Sequence, residues 1–151
     1  KALGVQTVVA PFNNVAALRK AVTGQDAVIH AAAHFELWGP WQKFQEGIID
    51  ATLNLHQAAR EENVRRFVYV SAAGVVSGNL PKVVDETTPY PTKHTAHYGE
   101  AKALTEIELK KLPVSSPTTI ILRPPLIWGG EMPALDTYEQ AVKAGQAIWV
   151  D

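Results

Sequence analysis

The 151-residue chain has no cysteine. That excludes disulfides, thiolate nucleophiles and cysteine-ligated metals, and it fits a cytoplasmic protein. Neither sign of charge is in excess: 14 Lys and Arg stand against 15 Asp and Glu, a formal net charge of −1. No global basic field therefore points to nucleic acid or an anionic membrane surface. No apolar run approaches the ~20 residues that a membrane span needs. The five histidines lack metal spacing: His30 and His34 are four apart, but no His-Glu-x-x-His surrounds them. No Gly-x-Ser-x-Gly elbow is present, which argues against a serine hydrolase. The start carries no secretory-signal pattern. Lys1-Ala-Leu-Gly4 reads as the end of a surface turn, and residues 147–151 stop inside an expected strand. Both ends are expected to be cuts within a longer protein.

What is present is apolar material for one domain, 46% of the residues. It falls into short apolar runs separated by segments of helical spacing. Runs at 6–10, Ala27–His30, Arg66–Val70, Thr118–Leu122 and 148–150 read as strands. Helical periodicity covers 14–22 with Asn14 at the cap, then 41–62, 97–112 and 134–144, the last ended by Gly145. Residues 74–96 read as a long surface loop. Alternating strand and helix with near-continuous apolar strands predicts an α/β fold, a doubly wound parallel sheet covered on both faces. Ligands in such sheets bind beyond the carboxyl ends of the strands.

Those strand ends carry candidate chemistry. Ala31, Ala32 and Ala33 follow the Ala27–His30 run, and small side chains there let a flat ligand approach the backbone. Ser71 follows Arg66–Val70 and offers a hydroxyl to a substrate oxygen. Arg123-Pro-Pro-Leu126 follows Thr118–Leu122, where paired prolines stiffen a wall, and Arg123 suits a clamp on a loop or carboxylate. Glu106 and Glu108 lie near Lys110 and Lys111. Most informative is Tyr98-Gly-Glu-Ala-Lys102. One helical turn separates Tyr98 from Lys102, so both side chains can face one pocket. An ammonium beside the phenol is expected to bring its pKa down toward working pH. By itself the spacing is a weak signal; its ordered companions make it a strong one.

In that order, Val-Ile-His30-Ala-Ala, Arg65-Arg-Phe-Val-Tyr-Val-Ser71, Tyr98-x-x-x-Lys102 and Leu122-Arg-Pro-Pro-x-Ile-Trp-Gly129 resemble the extended short-chain dehydrogenase/reductases. These are the NAD-dependent epimerase/dehydratase and 3β-hydroxysteroid dehydrogenase-like proteins. The resemblance implies a Rossmann-like fold, incomplete in this chain. Residues 1–151 would be the central and C-terminal part of a dinucleotide-binding domain, without the substrate domain. It implies an NAD(P)-dependent oxidoreductase acting on a secondary alcohol or ketone, with a sterol-like molecule as one candidate. A nucleotide-sugar epimerase or dehydratase, or a degenerate scaffold of the same fold, stands as the alternative. NAD or NADP is the implied cofactor and a small molecule the implied partner; a homodimer is left open.

By the same resemblance, Tyr98 would be the general acid/base, and Lys102 would lower its pKa and bind the nicotinamide ribose. Ala31, Ala32 and Ala33 would line the cofactor cleft. Pro124, Pro125 and Leu126 would back the nicotinamide, and Phe12 would lie near the adenine. Ser71 would stand in for the second hydroxyl of the family's Ser-Ser-Ala, whose register falls on Ala72. The phosphate-binding Gly-x-x-Gly-x-x-Gly is absent from the chain, Pro11 replaces an expected Asp, and Ile48 replaces an expected Asn while Asn54 remains. The missing first strand would leave a gap between residues 6–10 and the rest of the sheet. The apolar segment 35–41 is expected either to cover a hydrophobic substrate or to bury a helix start.

Overall fold

The computed structural model describes residues 4–36, 38–77, 83–113, 117–127, 129 and 133–146. In chain order it contains α1 (Val15–Val22), β1 (Ala27–His30), α2 (Trp41–Phe44), a π-helical turn (Gln45–Asp50), α3 (Ala51–Glu61) and β2 (Arg66–Val70). A 3-10 turn (Ala73–Val76), α4 (His97–Lys111), β3 (Thr118–Leu122) and α5 (Pro133–Lys143) follow. The three strands form one parallel sheet in the order β1-β2-β3. The register sets His30 beside Tyr69 and Tyr69 beside Ile121.

Local chemistry explains the element ends. The Asn14 side chain accepts a hydrogen bond from the Ala17 amide at 3.0 Å and so caps α1, a bond worth about 1 kcal/mol. α3 ends on Asn63 at φ 56, a left-handed conformation that Asn tolerates. That turn lets the Val64 amide donate back to the Ala59 carbonyl at 2.9 Å. Gly145 ends α5 in the same way, with Gln146 donating to the Ala141 carbonyl at 2.8 Å.

The sheet has two unlike faces. On one, Phe67 and Tyr69 are fully buried against Leu18 of α1, Leu55 and Ala58 of α3, and Leu109 of α4. On the other, Ile29 is 71% exposed, Ile120 40% and Leu122 48%. The expected cover on both faces is thus corrected: α1, α3 and α4 all lie on the Phe67 side. The reason is topological. The crossovers β1–α3–β2 and β2–α4–β3 step the same way across the sheet, and right-handed crossovers that do so put their helices on the same face, where α1 packs against α3.

Three further expectations are corrected or fall elsewhere. Residues 6–10 form no strand; they make no ladder with β1, and Val5, Val8 and Val9 are 75%, 51% and 89% exposed. Strand geometry needs a neighbour for its amides and carbonyls, and β1 does not supply it. The helix expected over 41–62 is broken into α2, the π turn and α3, where the Ala51 amide donates to the Glu46 carbonyl five residues back. The strand expected at 148–150 lies outside the described residues. Among the described residues, no helix is long and apolar enough to cross a membrane.

Candidate active site

α4 sets the geometry of the site. Tyr98, Lys102 and Glu106 repeat every four residues and so form one stripe along the helix. The start of α4 lies close against the 3-10 turn: a Cβ at Gly99 would stand 2.9 Å from the Gly74 carbonyl oxygen. Glycine next to Tyr98 is therefore a packing requirement. The Lys102 side chain crosses to the end of β2, where its ammonium donates to the Val70 carbonyl at 2.7 Å. It sits 4.7 Å from the Tyr69 ring centroid and 5.8 Å from that of Tyr98. Only 1% of Lys102 is exposed. Burial lowers its pKa to about 8, and the nearby Glu106 carboxylate opposes that fall.

Tyr98 is half-buried and packs against the cluster of Phe44, Ile48 and Ala101. The Phe35 ring meets it edge-on at 5.2 Å. Burial pushes its phenol pKa up, which corrects the expectation that the ammonium alone would bring it down. The physical reason is that burial of the phenol disfavours its charged form, while the ammonium donates to the Val70 carbonyl and stands 5.8 Å from the Tyr98 ring centroid. Phe35, beside Tyr98, is 71% exposed, and Trp38 is 77% exposed. Trp41 is half-buried and its ring meets His97 at 5.5 Å. Of the segment 35–41, the Trp41 end packs at the helix start, as one of the two expectations had it, and Phe35 is an exposed ring beside Tyr98.

The other sequence-derived residues divide into two groups. Ala31 and Ala32 are exposed and Ala33 half-buried just beyond β1. The Pro124 carbonyl accepts from the Ala73 amide at 2.9 Å, which holds the β3 exit beside the β2 exit, while Pro125 and Leu126 face outward. Phe12 lies farther along the sheet end, edge-on to His30 at 5.3 Å, with its carbonyl accepting from the Asn54 amide group at 2.9 Å. Phe12, Asn13, His34, Gly47 and Asn54 line a cavity of about 930 Å³ that includes neither Tyr98 nor Lys102. A second cavity of about 450 Å³ lies at the start of α4 between Trp38, His94, His97 and Glu100. Ser71 is buried, and its hydroxyl donates to Glu106 at 2.6 Å.

Sequence reasoning did not find the polar network beneath the site. Glu106 is fully buried; Arg123 Nε donates to both its carboxylate oxygens at 3.1 Å, and Nη2 donates to Oε2 at 2.7 Å. Tyr90 adds a third donor at 2.7 Å. The carboxylate clamp suggested for Arg123 is realised here. Glu106 does lie 3.8 Å from Lys110, the neighbour its spacing suggests, but Arg123 holds it more closely. The signal available was its place on the Tyr98–Lys102 stripe. His30 is likewise buried, 3.1 Å from the Thr52 hydroxyl, and burial together with the Lys102 charge lowers its pKa to about 4. Among the described residues no cluster of His, Cys, Asp or Glu could hold a metal.

This arrangement matches a known family along almost its whole length. A profile of the 3-beta hydroxysteroid dehydrogenase/isomerase family covers residues 2–150. The chain belongs to that family. It is 30% identical to a 4-hydroxy-2-methyl-3-oxo-4-farnesyl-3,4-dihydroquinoline-1-oxide ketoreductase of Stigmatella aurantiaca, over 100% of this chain and 46% of the relative. It is also 30% identical to a decarboxylating sterol-4-alpha-carboxylate 3-dehydrogenase of Dictyostelium discoideum, over 98% of this chain and 48% of that one. The chain therefore spans about half the length of these relatives. Among solved structures, a short-chain dehydrogenase/reductase superfamily protein from Agrobacterium tumefaciens with bound NAD is 31% identical, with a TM-score of 0.66 over 80% of this chain and 38% of that one. WbmG of Bordetella bronchiseptica, in complex with NAD and UDP, superposes with a TM-score of 0.80 over 98% of this chain and 47% of that one; at 19% identity it shows the Rossmann-like fold alone.

The residues present fit the nicotinamide end of a dinucleotide. Lys102 has three donor hydrogens and spends one on Val70, and the small residues after β1 leave the backbone open. A glycine-rich cradle for the pyrophosphate is not part of this chain.

Proposed function

We propose that the chain is the central part of an NAD(P)-dependent oxidoreductase that interconverts a ketone and a secondary alcohol on an apolar, sterol-like substrate. The carrying observation is the Tyr98–Lys102 stripe with the exposed Phe35 ring edge-on to Tyr98. In the reductive direction the cofactor supplies a hydride to the carbonyl carbon. Tyr98 gives its phenolic proton to the carbonyl oxygen, and Lys102 offers positive charge to the resulting phenolate and a donor to the ribose. Ala31, Ala32 and Ala33 line the cofactor side, Pro124, Pro125 and Leu126 back the nicotinamide, and Phe12 lies toward the adenine. Exposed aromatic surface suits a fused apolar ring system better than a sugar. The ketoreductase and sterol dehydrogenase names of the relatives agree with that substrate class. We place the protein in the cytoplasm, with a homodimer as the assembly to test first.

One observation favours a second reading, a cofactor-binding scaffold without turnover. Ser71 spends its hydroxyl on Glu106, and Ala72 offers none. The deciding experiment follows NAD(P)H oxidation by the full-length protein on a panel of ketosteroids and, because epimerisation and dehydration return the hydride to the sugar, product formation with NAD on a panel of nucleotide sugars. The oxidoreductase reading expects turnover on the ketosteroids. Activity confined to nucleotide sugars would move the protein to the epimerase/dehydratase branch, and cofactor binding without turnover on either panel would establish the scaffold.

A further inference from the structure

We propose that Glu106 is a positioning residue of this centre: it supplies the counter-charge for the Lys102 ammonium and ties α4 to the β3 exit. The inference rests on the oxidoreductase reading for its consequence but not for its geometry. Glu106 is one turn beyond Lys102 on the same stripe and has no solvent exposure. Its carboxylate gathers donors from three other parts of the chain: Ser71 after β2, Tyr90 from the loop, and Arg123 after β3.

Such a cluster does two things. First, it fixes the helix that carries Tyr98 and Lys102 against the segment that carries Pro124 and Pro125. Charge-assisted, two-pronged bonds of this kind define both distance and angle. Ser71 N–H to the Leu122 carbonyl, at 2.7 Å, and Ala73 N–H to Pro124 continue the same seam in backbone. Second, it places a negative charge near a buried ammonium. The groups facing Lys102 are His30 from β1, Tyr69 from β2, and Tyr98 and Glu106 on α4 itself, with Arg123 behind Glu106. Of these, Glu106 is the carboxylate. His30 has its pKa lowered to about 4, so it adds no positive charge at neutral pH. Without Glu106, burial would act on Lys102 unopposed, and the ammonium would give up its proton more readily.

The test follows the Lys102 resonance by NMR of the full-length protein labelled at lysine Cε, assigned with Lys102→Arg. In Glu106→Gln the Lys102 titration midpoint should fall by about one pH unit, and Glu106→Asp should restore most of the shift. An unchanged midpoint, with only thermal stability lost, would overturn the proposal. If Glu106→Gln fails to fold, Arg123→Gln serves instead. It releases the clamp that keeps Glu106 charged and in place, so the midpoint should move, and an unchanged midpoint would overturn the proposal. The readout needs neither cofactor nor substrate, so an inactive wild-type protein would count against the oxidoreductase reading alone. In an active protein, Glu106→Gln should lower kcat at least tenfold, with the loss greatest at high pH where Lys102 is neutral.

Discussion

The two faces of the sheet are made of similar residues and live in different surroundings. Phe67 and Tyr69 face three helices and are fully buried, while one residue along, Val68 lies between the exposed Ile29 and Ile120. Near-continuous apolar strands are the signature of two-sided burial, yet among the described residues one side is filled. The comparison teaches that strand composition alone does not say which face of a sheet is covered. The catalytic candidates lie with the filled side: α4, which carries Tyr98 and Lys102, also packs Leu109 against Phe67's cluster.

Breaking the filled face should have the largest effect. Phe67→Ala removes a fully buried ring from beneath α1 and α3 and should cost about 3–5 kcal/mol, measured by urea unfolding. A cost below about 1 kcal/mol would show that the face is not the core. Acid tests the same face through His30, whose folded pKa of about 4 lies below its unfolded value of about 6.5. The unfolded chain binds that proton more readily, so the stability is complete above about pH 6.5 and lost as pH falls toward 4. The loss should reach about 3 kcal/mol. His56, buried beside Arg60 and bonded to Thr119, shifts in the same direction. His30→Asn should flatten that part of the pH dependence; an unaltered slope would place its origin elsewhere. At the seam beside the site, Gly99→Ala forces a methyl against the Gly74 carbonyl and should cost about 1–3 kcal/mol. On the open face, Ile120→Ser should change the stability of residues 1–151 by less than about 0.5 kcal/mol. A larger cost would mean that this face is covered after all.

Much of this was legible in the sequence, for identifiable reasons. The runs Ala27–His30, Arg66–Val70 and Thr118–Leu122 are strands as expected, because β-branched and aromatic residues crowd there between turn signals. The caps at Asn14 and Gly145 act locally and were readable locally. The helix bearing Tyr98 and Lys102 starts where its loop ends, at His97. Residues 6–10 look just as strand-like, but a strand is a pairing and its partner cannot be read from its own letters. The π turn at Gln45–Asp50 adds one residue to a turn without changing the apolar spacing enough to announce itself. Glu106 lies near Lys110 and Lys111 in sequence, but the partner that holds it most closely, Arg123, is 17 residues away across the β3 strand.

The central claim is that Tyr98 transfers the proton while Lys102 holds the site's positive charge. The most direct measurement is single-turnover oxidation of NADH or NADPH by a ketosteroid in the full-length protein, wild type against Tyr98→Phe, with cofactor affinity measured in parallel. The account predicts a rate lowered about 10²–10⁴-fold with cofactor affinity unchanged; equal rates in the two proteins would contradict it.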